Sequence, residues 1–148
     1  MFSQSTEYAL RAAVWLAENE GQPQTTQQIA EATRVPAPYL AKMLQSLSRA
    51  KLVRGSRGVG GGFELMRPAS GVSILDIVNA VDPIRRIESC PLDLAAHRVR
   101  LCPLHKKLDD AIAVIENSFA TTSLADVLGG NSRHKPLCEF VEVALAAK

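Results

Sequence analysis

The chain has 148 residues, a formal net charge of +2 and a hydrophobic fraction of 47%. These values fit one compact domain, or a small domain with an appendage, and allow a buried core. Neither a secretory leader nor an apolar run long enough to cross a bilayer is evident, so we expect a cytoplasmic protein without a membrane partner. Three cysteines, an odd number, argue against a disulfide framework and leave thiolate chemistry or simple burial.

Two short predicted helices follow an N-terminal helix over STEYALRAAVWLAEN. In TTQQIAEATRV, Thr25 and Gln28 have the spacing of a capping box. In PAPYLAKMLQSLSRAKLV, Pro38 suits the first turn of a helix, because its missing N–H costs nothing there. Apolar residues recur at helical spacing and predict the inner face of this helix: Leu40, Met43, Leu44 and Leu47. The outer face is polar and basic: Lys42, Gln45, Ser46 and Arg49. The pair predicts a helix-turn-helix.

The glycine-rich stretch RGSRGVGGGFEL, residues 54–65, first suggests a phosphate-binding loop. A P-loop needs a Gly-Lys-Ser/Thr triplet, which the chain lacks, and Phe63 stands where a dinucleotide fingerprint needs its third glycine. Leu52–Val53 and Phe63–Leu65 instead predict two short strands joined by a turn, which makes a winged helix. Gly58 would let this wing approach a nucleic-acid backbone, with Arg57 entering a minor groove and Arg54 meeting phosphate. A flexible hairpin with solvated arginines is the alternative.

Positive charge concentrates in this same part of the chain. Residues 34–67 hold seven basic residues against the single acid Glu64, whereas residues 1–33 hold four acids and only Arg11. The seven are Arg34, Lys42, Arg49, Lys51, Arg54, Arg57 and Arg67. A basic stripe of this kind is typical of contact with a phosphate backbone, although an ordinary solvated face has the same composition.

The later elements are expected to complete the core and to form a dimer. SILDIVNAV has a capping-box pattern at Ser73 and Asp76 and stops at Pro83, which predicts another short helix. From Pro103, a long helix is predicted with one apolar stripe: Leu104, Leu108, Ala111, Ile112, Ile115 and Phe119. Polar residues fall off that stripe: Lys106, Lys107, Asp109, Asp110 and Glu116. The stripe must pack on another helix of this chain or on a second copy, and helix-turn-helix proteins commonly read palindromic operators as symmetric dimers.

The predicted fold is therefore mainly α with a small β-hairpin wing: a winged helix-turn-helix DNA-binding domain plus a long dimerisation helix. Four segments are expected: the winged domain (residues 1–82), a cysteine-containing sensor loop (83–102), the dimerisation helix with a short helix after it (103–128), and a C-terminal tail (129–148). An enzyme built on Cys102, His105 and Asp109 lacks an oxyanion motif, so we predict no catalytic activity.

These segments resemble a known family. TEYALRA and the run QIAEATRVPAPYLAKMLQSLSRAKLVRGSRGVGGGFEL, with a later Cys/His segment, closely resemble the winged-helix regulators of the IscR/NsrR (Rrf2) family. The resemblance implies a homodimeric transcription factor that places its recognition helix in the major groove of double-stranded DNA and pairs its long helix across the dimer. Tyr39 matches the family's recognition-helix tyrosine, and Arg57 matches its wing arginine. Pro38 and Ala41 stand where a family member carries serine and glutamate, so operator preference does not transfer.

Candidate metal chemistry lies in SCPLDLAAHRVRLCPLHKKLDD. Cys90 and Cys102 are twelve positions apart, and His105 follows Cys102 by three, so the last two share the first turn of a helix that begins near Pro103. Thiolate and imidazole ligands suit an iron–sulfur cluster or zinc. In the cluster-binding members of the resembling family, three cysteines occupy this loop. The first and last match Cys90 and Cys102 and a ligand histidine matches His105, whereas Ala96 replaces the middle cysteine, beside His97.

A cluster at this site needs four ligands, so Cys90 and Cys102 require two more from His105, His97 and Glu7. Glu7 aligns with a carboxylate that some family members donate across the dimer, and an acid there equally suits a helix N-terminus. Mixed ligands favour a [2Fe-2S] centre over an all-thiolate cubane, and zinc is an alternative cofactor. No metal is needed if the thiols form a redox pair or merely pack. Cys138 is predicted to be a core cysteine, because the intervening Pro136 breaks any helix shared with His134.

The sequence thus predicts a dimeric, sequence-specific DNA-binding regulator that represses transcription. It would sense redox state, nitric oxide or iron through the Cys90/Cys102 region. The alternatives are a thiol-based or metal-free winged-helix regulator, and a zinc-stabilised protein-interaction module.

Overall fold

The structure, a computed structural model, describes residues 2–90, 100–129 and 136–137. Six α-helices and one hairpin form within these ranges. The helices are α1 (Gln4–Glu18), α2 (Thr26–Thr33), α3 (Ala37–Arg49), α4 (Ile74–Val81), α5 (Pro103–Ala120) and α6 (Leu124–Gly129). The antiparallel strands are β1 (Val53–Ser56) and β2 (Gly62–Leu65), and a 3₁₀ turn spans Ala69–Gly71. The mainly helical winged fold expected from the sequence is confirmed.

Side-chain caps fix where several helices begin. Ser3 accepts a hydrogen bond from the backbone N–H of Thr6 at the start of α1. Thr25 with Gln28, and Ser73 with Asp76, form complete capping boxes at α2 and α4. Each box satisfies two backbone donors that a helix N-terminus otherwise leaves without partners, so both predicted helix starts are confirmed.

The core lies around α1, which contacts α2, α3, α4 and α6. Small buried residues let neighbouring helices approach its surface: Ala9, Ala12, Ala13 and Ala17. Larger side chains fill the space between the helices: Leu16, Ile29, Leu40, Leu44, Leu47, Ile77 and Leu124. Burying an aliphatic side chain of this size contributes roughly 1.5 to 3 kcal/mol to folding. The core therefore holds α3 rigidly by its inner face.

The wing is fixed at its base by a short extension of the sheet. Phe63 exchanges two backbone hydrogen bonds with Gln24, at 2.9 and 2.7 Å. The Gln24 side chain accepts a hydrogen bond from the indole N–H of Trp15 on α1, at 3.2 Å. The wing is therefore anchored to both α1 and the segment before α2. The first strand starts at Val53 and not at Leu52, and reaches Ser56 because Gly55 pairs with Phe63.

The long helix α5 differs from its predicted packing. Asp109, expected off the packed stripe, is buried, whereas Leu104 and Leu108 of the apolar stripe are exposed. The reason is that α5 meets α4 and the segment after it with a polar face, described below. No helix in the described part of the chain is both long and apolar enough to cross a membrane.

Candidate nucleic-acid interface and cysteine site

The recognition-helix candidate is α3. Its four buried residues are the four predicted from helical spacing: Leu40, Met43, Leu44 and Leu47. The predicted DNA-contacting residues lie on the other side, where Pro38, Tyr39, Lys42, Gln45 and Arg49 are exposed and Ser46 is half-buried. The helix therefore offers a continuous polar and basic surface, with no acidic residue, at a size that fits a major groove.

Tyr39, at the start of α3, is 58% exposed, and its ring is supported by a contact with α1. Its ring packs edge-on against Tyr8, with ring centroids 6.2 Å apart. Arg11 lies over the Tyr8 ring at 6.0 Å and forms a 2.9 Å ion pair with Glu7. Tyr8 and Arg11 were not predicted as site residues. Their spacing along α1 was the only sequence signal that could have identified them, because the contact between Tyr8 and Tyr39 arises from tertiary packing.

The two wing arginines have different surroundings. Arg54 forms a 3.0 Å ion pair with Glu64, its cross-strand neighbour on β2. Arg57 is exposed at the turn, and within the described residues it forms no ion pair or hydrogen bond. Gly58 follows it with φ of +93°, a conformation that favours glycine. The charge of Arg57 is therefore available, whereas that of Arg54 is partly compensated within the hairpin.

The cysteine site joins the segment after α4 to the start of α5. Cys90 is buried, and Cys102 is the N-cap residue of α5. Nδ1 of His105 lies 3.2 Å from Sγ of Cys102 and 4.0 Å from Sγ of Cys90. The structure thus brings together three of the predicted ligands, although Cys90 and His105 are fifteen positions apart in the sequence.

Two thiols and an imidazole are donors of the kind that zinc and iron–sulfur clusters accept. They supply three ligands where four are needed. In the described ranges, no group of three or more His, Cys, Asp or Glu side chains is arranged around a common centre that would hold an ion. The donor types fit a metal or cluster, and a complete site requires a further ligand.

The other candidate ligands differ in position. Glu7 lies in the first turn of α1, exposed and paired with Arg11. His97, Ala96 and Cys138 lie outside the described residues, so the predictions on them are untested.

Together, a helix-turn-helix, a basic exposed helix face and an anchored wing define a winged-helix DNA-binding transcriptional regulator. The family model Rrf2, described as "Iron-dependent Transcriptional regulator", matches residues 2–130. The chain therefore belongs to the Rrf2 family, which confirms the resemblance found in the sequence.

Individual relatives agree with this assignment. Rv1287 of Mycobacterium tuberculosis, named "Putative HTH-type transcriptional regulator", is 34% identical and covers 86% of this chain and 81% of its own. Among solved structures, CymR of B. subtilis, described as the global cysteine regulator, has a TM-score of 0.74 at 22% identity, over 89% of this chain and 98% of its own. IscR of T. potens has a TM-score of 0.71 at 25% identity, over 87% of this chain and 86% of its own. The first of these two likenesses concerns the fold alone.

Proposed function

We propose that the chain is a homodimeric repressor that reads a palindromic operator in double-stranded DNA and senses redox state, nitric oxide or iron at the Cys90–Cys102–His105 site. The observation that carries the DNA-binding part is α3, whose inner face is locked in the core while its basic outer face is exposed beside the wing. A DNA-binding regulator of this kind works in the compartment that holds the DNA, here the cytoplasm.

DNA contacts divide between helix and wing. Exposed residues of α3 reach base edges and phosphates in the major groove: Pro38, Tyr39, Lys42, Gln45, Ser46 and Arg49. Arg57 enters the minor groove beside Gly58, because its charge has no compensating partner in the described hairpin. Arg54 binds phosphate more weakly, since Glu64 already neutralises part of its charge.

The dimer forms through α5. Three of its exposed apolar side chains share one face of the helix, Leu104, Leu108 and Ile115, and such a row is costly to leave in water. Pairing with the same helix of a second copy buries the row symmetrically and sets the separation of the two recognition helices.

Cys90, Cys102 and His105 would hold the cofactor, and Glu7 donated across the dimer or His97 would complete the ligand set. A [2Fe-2S] cluster is favoured, with zinc as the alternative. Such a cluster supplies a redox centre and a target for nitric oxide when bound. Cys102 is the N-cap residue of α5 and Cys90 lies in the segment after α4, so a change in their ligation would move α5 relative to the winged domain and would alter operator affinity.

A metal-free thiol sensor is the second candidate. It is favoured by the approach of both thiols to one atom, because Sγ of Cys102 and Sγ of Cys90 lie 3.2 and 4.0 Å from Nδ1 of His105. In this case Cys90 and Cys102 would form a disulfide, giving two electrons and two protons to a peroxide or disulfide oxidant.

The DNA-binding proposal is tested by selecting bound sequences from a random duplex pool and measuring affinity for the selected operator. Arg57→Ala should abolish specific binding while the protein stays folded and dimeric, and Lys107→Ala on α5 serves as a surface-charge control. Equal operator affinity in wild type and Arg57→Ala would overturn the assigned role of the wing. A failure of the wild type to select any sequence would overturn DNA reading itself.

The cofactor is identified by metal and acid-labile sulfide analysis of protein purified without oxygen. Iron with sulfide and visible absorbance, lost in Cys90→Ala and Cys102→Ala, supports the cluster. Zinc alone supports a structural or thiol-switch site. A folded, colourless and metal-free protein refutes metal sensing and leaves the thiol pair.

A further inference from the structure

The packing of α5 on its own chain includes a buried carboxylate. Within α5, which the structure describes completely, Asp109 is the one buried residue. A buried carboxylate without partners strongly destabilises a fold, so its surroundings must compensate it.

Three hydrogen bonds to Asp109 provide that compensation, all from the segment after α4. The guanidinium of Arg86 donates two, from Nε to Oδ1 and from Nη2 to Oδ2, both at 2.7 Å. The backbone N–H of Ile87 donates a third at 3.0 Å. The hydrogen bond from Arg86, with that from Ile87, lowers the pKa of Asp109 to about 2. Asp109 is therefore ionised and fully engaged at neutral pH.

Arg86 also reaches further along the same helix. Its Nη1 lies 3.5 Å from a carboxylate oxygen of Glu116, nearly two turns beyond Asp109. Hydrogen bonding to Asp109 raises the pKa of Arg86 above its already high ordinary value. One planar side chain thus bridges two carboxylates on a single helix face, which a lysine, with a point charge, would not reproduce.

The register of these contacts connects them to the cysteine site. Arg86 precedes Cys90 by four residues, and Asp109 follows His105 by four, so the segment and the helix run in opposite directions. Arg86 meets Asp109 at one end of this pairing, and Cys90 lies 4.0 Å from His105 at the other. His105 and Asp109 share a helix face, because residues four apart lie one turn above each other.

Residues 83–88 carry no helix or strand of their own. Their placement on α5 therefore relies on side-chain contacts, and the contacts of Asp109 are the shortest of these. Ile84 is held separately, because its backbone N–H donates a 3.1 Å hydrogen bond to the side chain of Asn79 on α4.

We propose that Arg86 and Asp109 form a lock that positions Cys90 beside His105 and Cys102. The sensor role of the lock rests on the proposed function, whereas its effect on Cys90 does not. Arg86 and Asp109 are positioning residues: neither forms a hydrogen bond to a cysteine sulfur, and they act by fixing the segment that carries Cys90.

The lock is tested by comparing alkylation of the two cysteines in one molecule. Full-length, metal-free protein with Cys138→Ser is treated with iodoacetamide, and modification of Cys90 and Cys102 is followed by mass spectrometry. Loss of the lock should raise the Cys90-to-Cys102 rate ratio by about tenfold in Arg86→Gln and in Asp109→Asn, because an unfastened segment exposes Cys90 selectively. Global destabilisation would instead accelerate both cysteines together.

Asp110→Asn is the matched control. Asp110 is the next residue on α5, and its ion pair with Lys106 stays within the same helix and does not involve residues 83–90. The Cys90-to-Cys102 rate ratio of Asp110→Asn should equal that of wild type. The charge swap Arg86→Asp with Asp109→Arg should bring the ratio part of the way back from the value of the single variants to that of wild type. An unchanged ratio in both lock variants, or an equal rise in Asp110→Asn, would overturn the lock. The alkylation rates of Cys90 and Cys102 are measured without metal or DNA, so a failure of the proposed regulatory function leaves this test intact.

Discussion

At the residue scale, Gly62 shows how closely the wing is fitted to its support. A Cβ at this position would lie 2.5 Å from the backbone carbonyl of Gln24, and φ is +148°. Both features exclude a larger residue, since the facing atoms belong to backbone and cannot rotate away.

Gly62→Ala should therefore destabilise the protein by about 1 to 3 kcal/mol. Urea unfolding gives the value, and Gly71→Ala is the control, because a Cβ there meets nothing within 4 Å. Equal stability of the two variants would show that the wing is not seated on Gln24 as described.

Asp109 gives a pH prediction at the same scale. Its pKa is lowered to about 2 in the folded protein, so its contribution to stability is complete above the ordinary carboxyl pKa and disappears as the pH falls towards 2. The stability difference between wild type and Asp109→Asn should stay constant from pH 7 to about 4 and then shrink. A difference that already declines between pH 7 and 5 would contradict the assigned ion pair.

The sequence could not have revealed this pair. Arg86 and Asp109 are 23 positions apart, and helical spacing placed Asp109 among the solvated residues of α5. Periodicity describes which residues share a face, but it does not state which face another segment covers. A polar contact between segments far apart in sequence leaves no local pattern.

At the element scale, the charges of the wing predict that its two arginines differ in their contribution to DNA binding. Because Glu64 neutralises part of Arg54, Arg54→Ala should weaken DNA binding less than Arg57→Ala does. Glu64→Gln should strengthen binding by releasing Arg54 to phosphate. Titrations over a range of salt concentrations test both, with Arg54→Ala lowering the salt slope by no more than about 1, because it removes one phosphate contact. A greater loss in Arg54→Ala would reverse the proposed division of roles.

Elements with strong local signals were predicted well. The capping residues Thr25 and Ser73 and the apolar spacing of α3 determine local hydrogen bonds and burial, so α2, α3 and α4 follow from the sequence. The end of β1 was less accurate, because Gly55 and Ser56 belong to the strand only through their pairing with Phe63 and Gly62. The cysteine site combines both cases: helical spacing placed Cys102 beside His105, whereas the twelve positions between Cys90 and Cys102 do not state how close the two thiols lie.

At the scale of the whole molecule, the exposed apolar row on α5 predicts the oligomeric state. Wild type should sediment as a dimer, and Leu108→Asp should shift it towards monomer, because a charge in the paired row is desolvated without a partner. Lys107→Asp introduces the same side chain at the adjacent exposed position and should remain dimeric. A monomeric wild type, or an unaffected Leu108→Asp dimer, would refute pairing through α5.

Control of DNA binding by the cysteine site predicts that operator affinity depends on the redox state of the protein. Operator affinity is measured by fluorescence anisotropy with protein kept without oxygen, before and after exposure to a peroxide oxidant, in wild type, Cys90→Ala and Cys102→Ala. We expect at least a tenfold change in wild type, equivalent to about 1.4 kcal/mol of coupling, and none in the variants. A change of the same size in all three proteins, or none in wild type, would contradict control by this site.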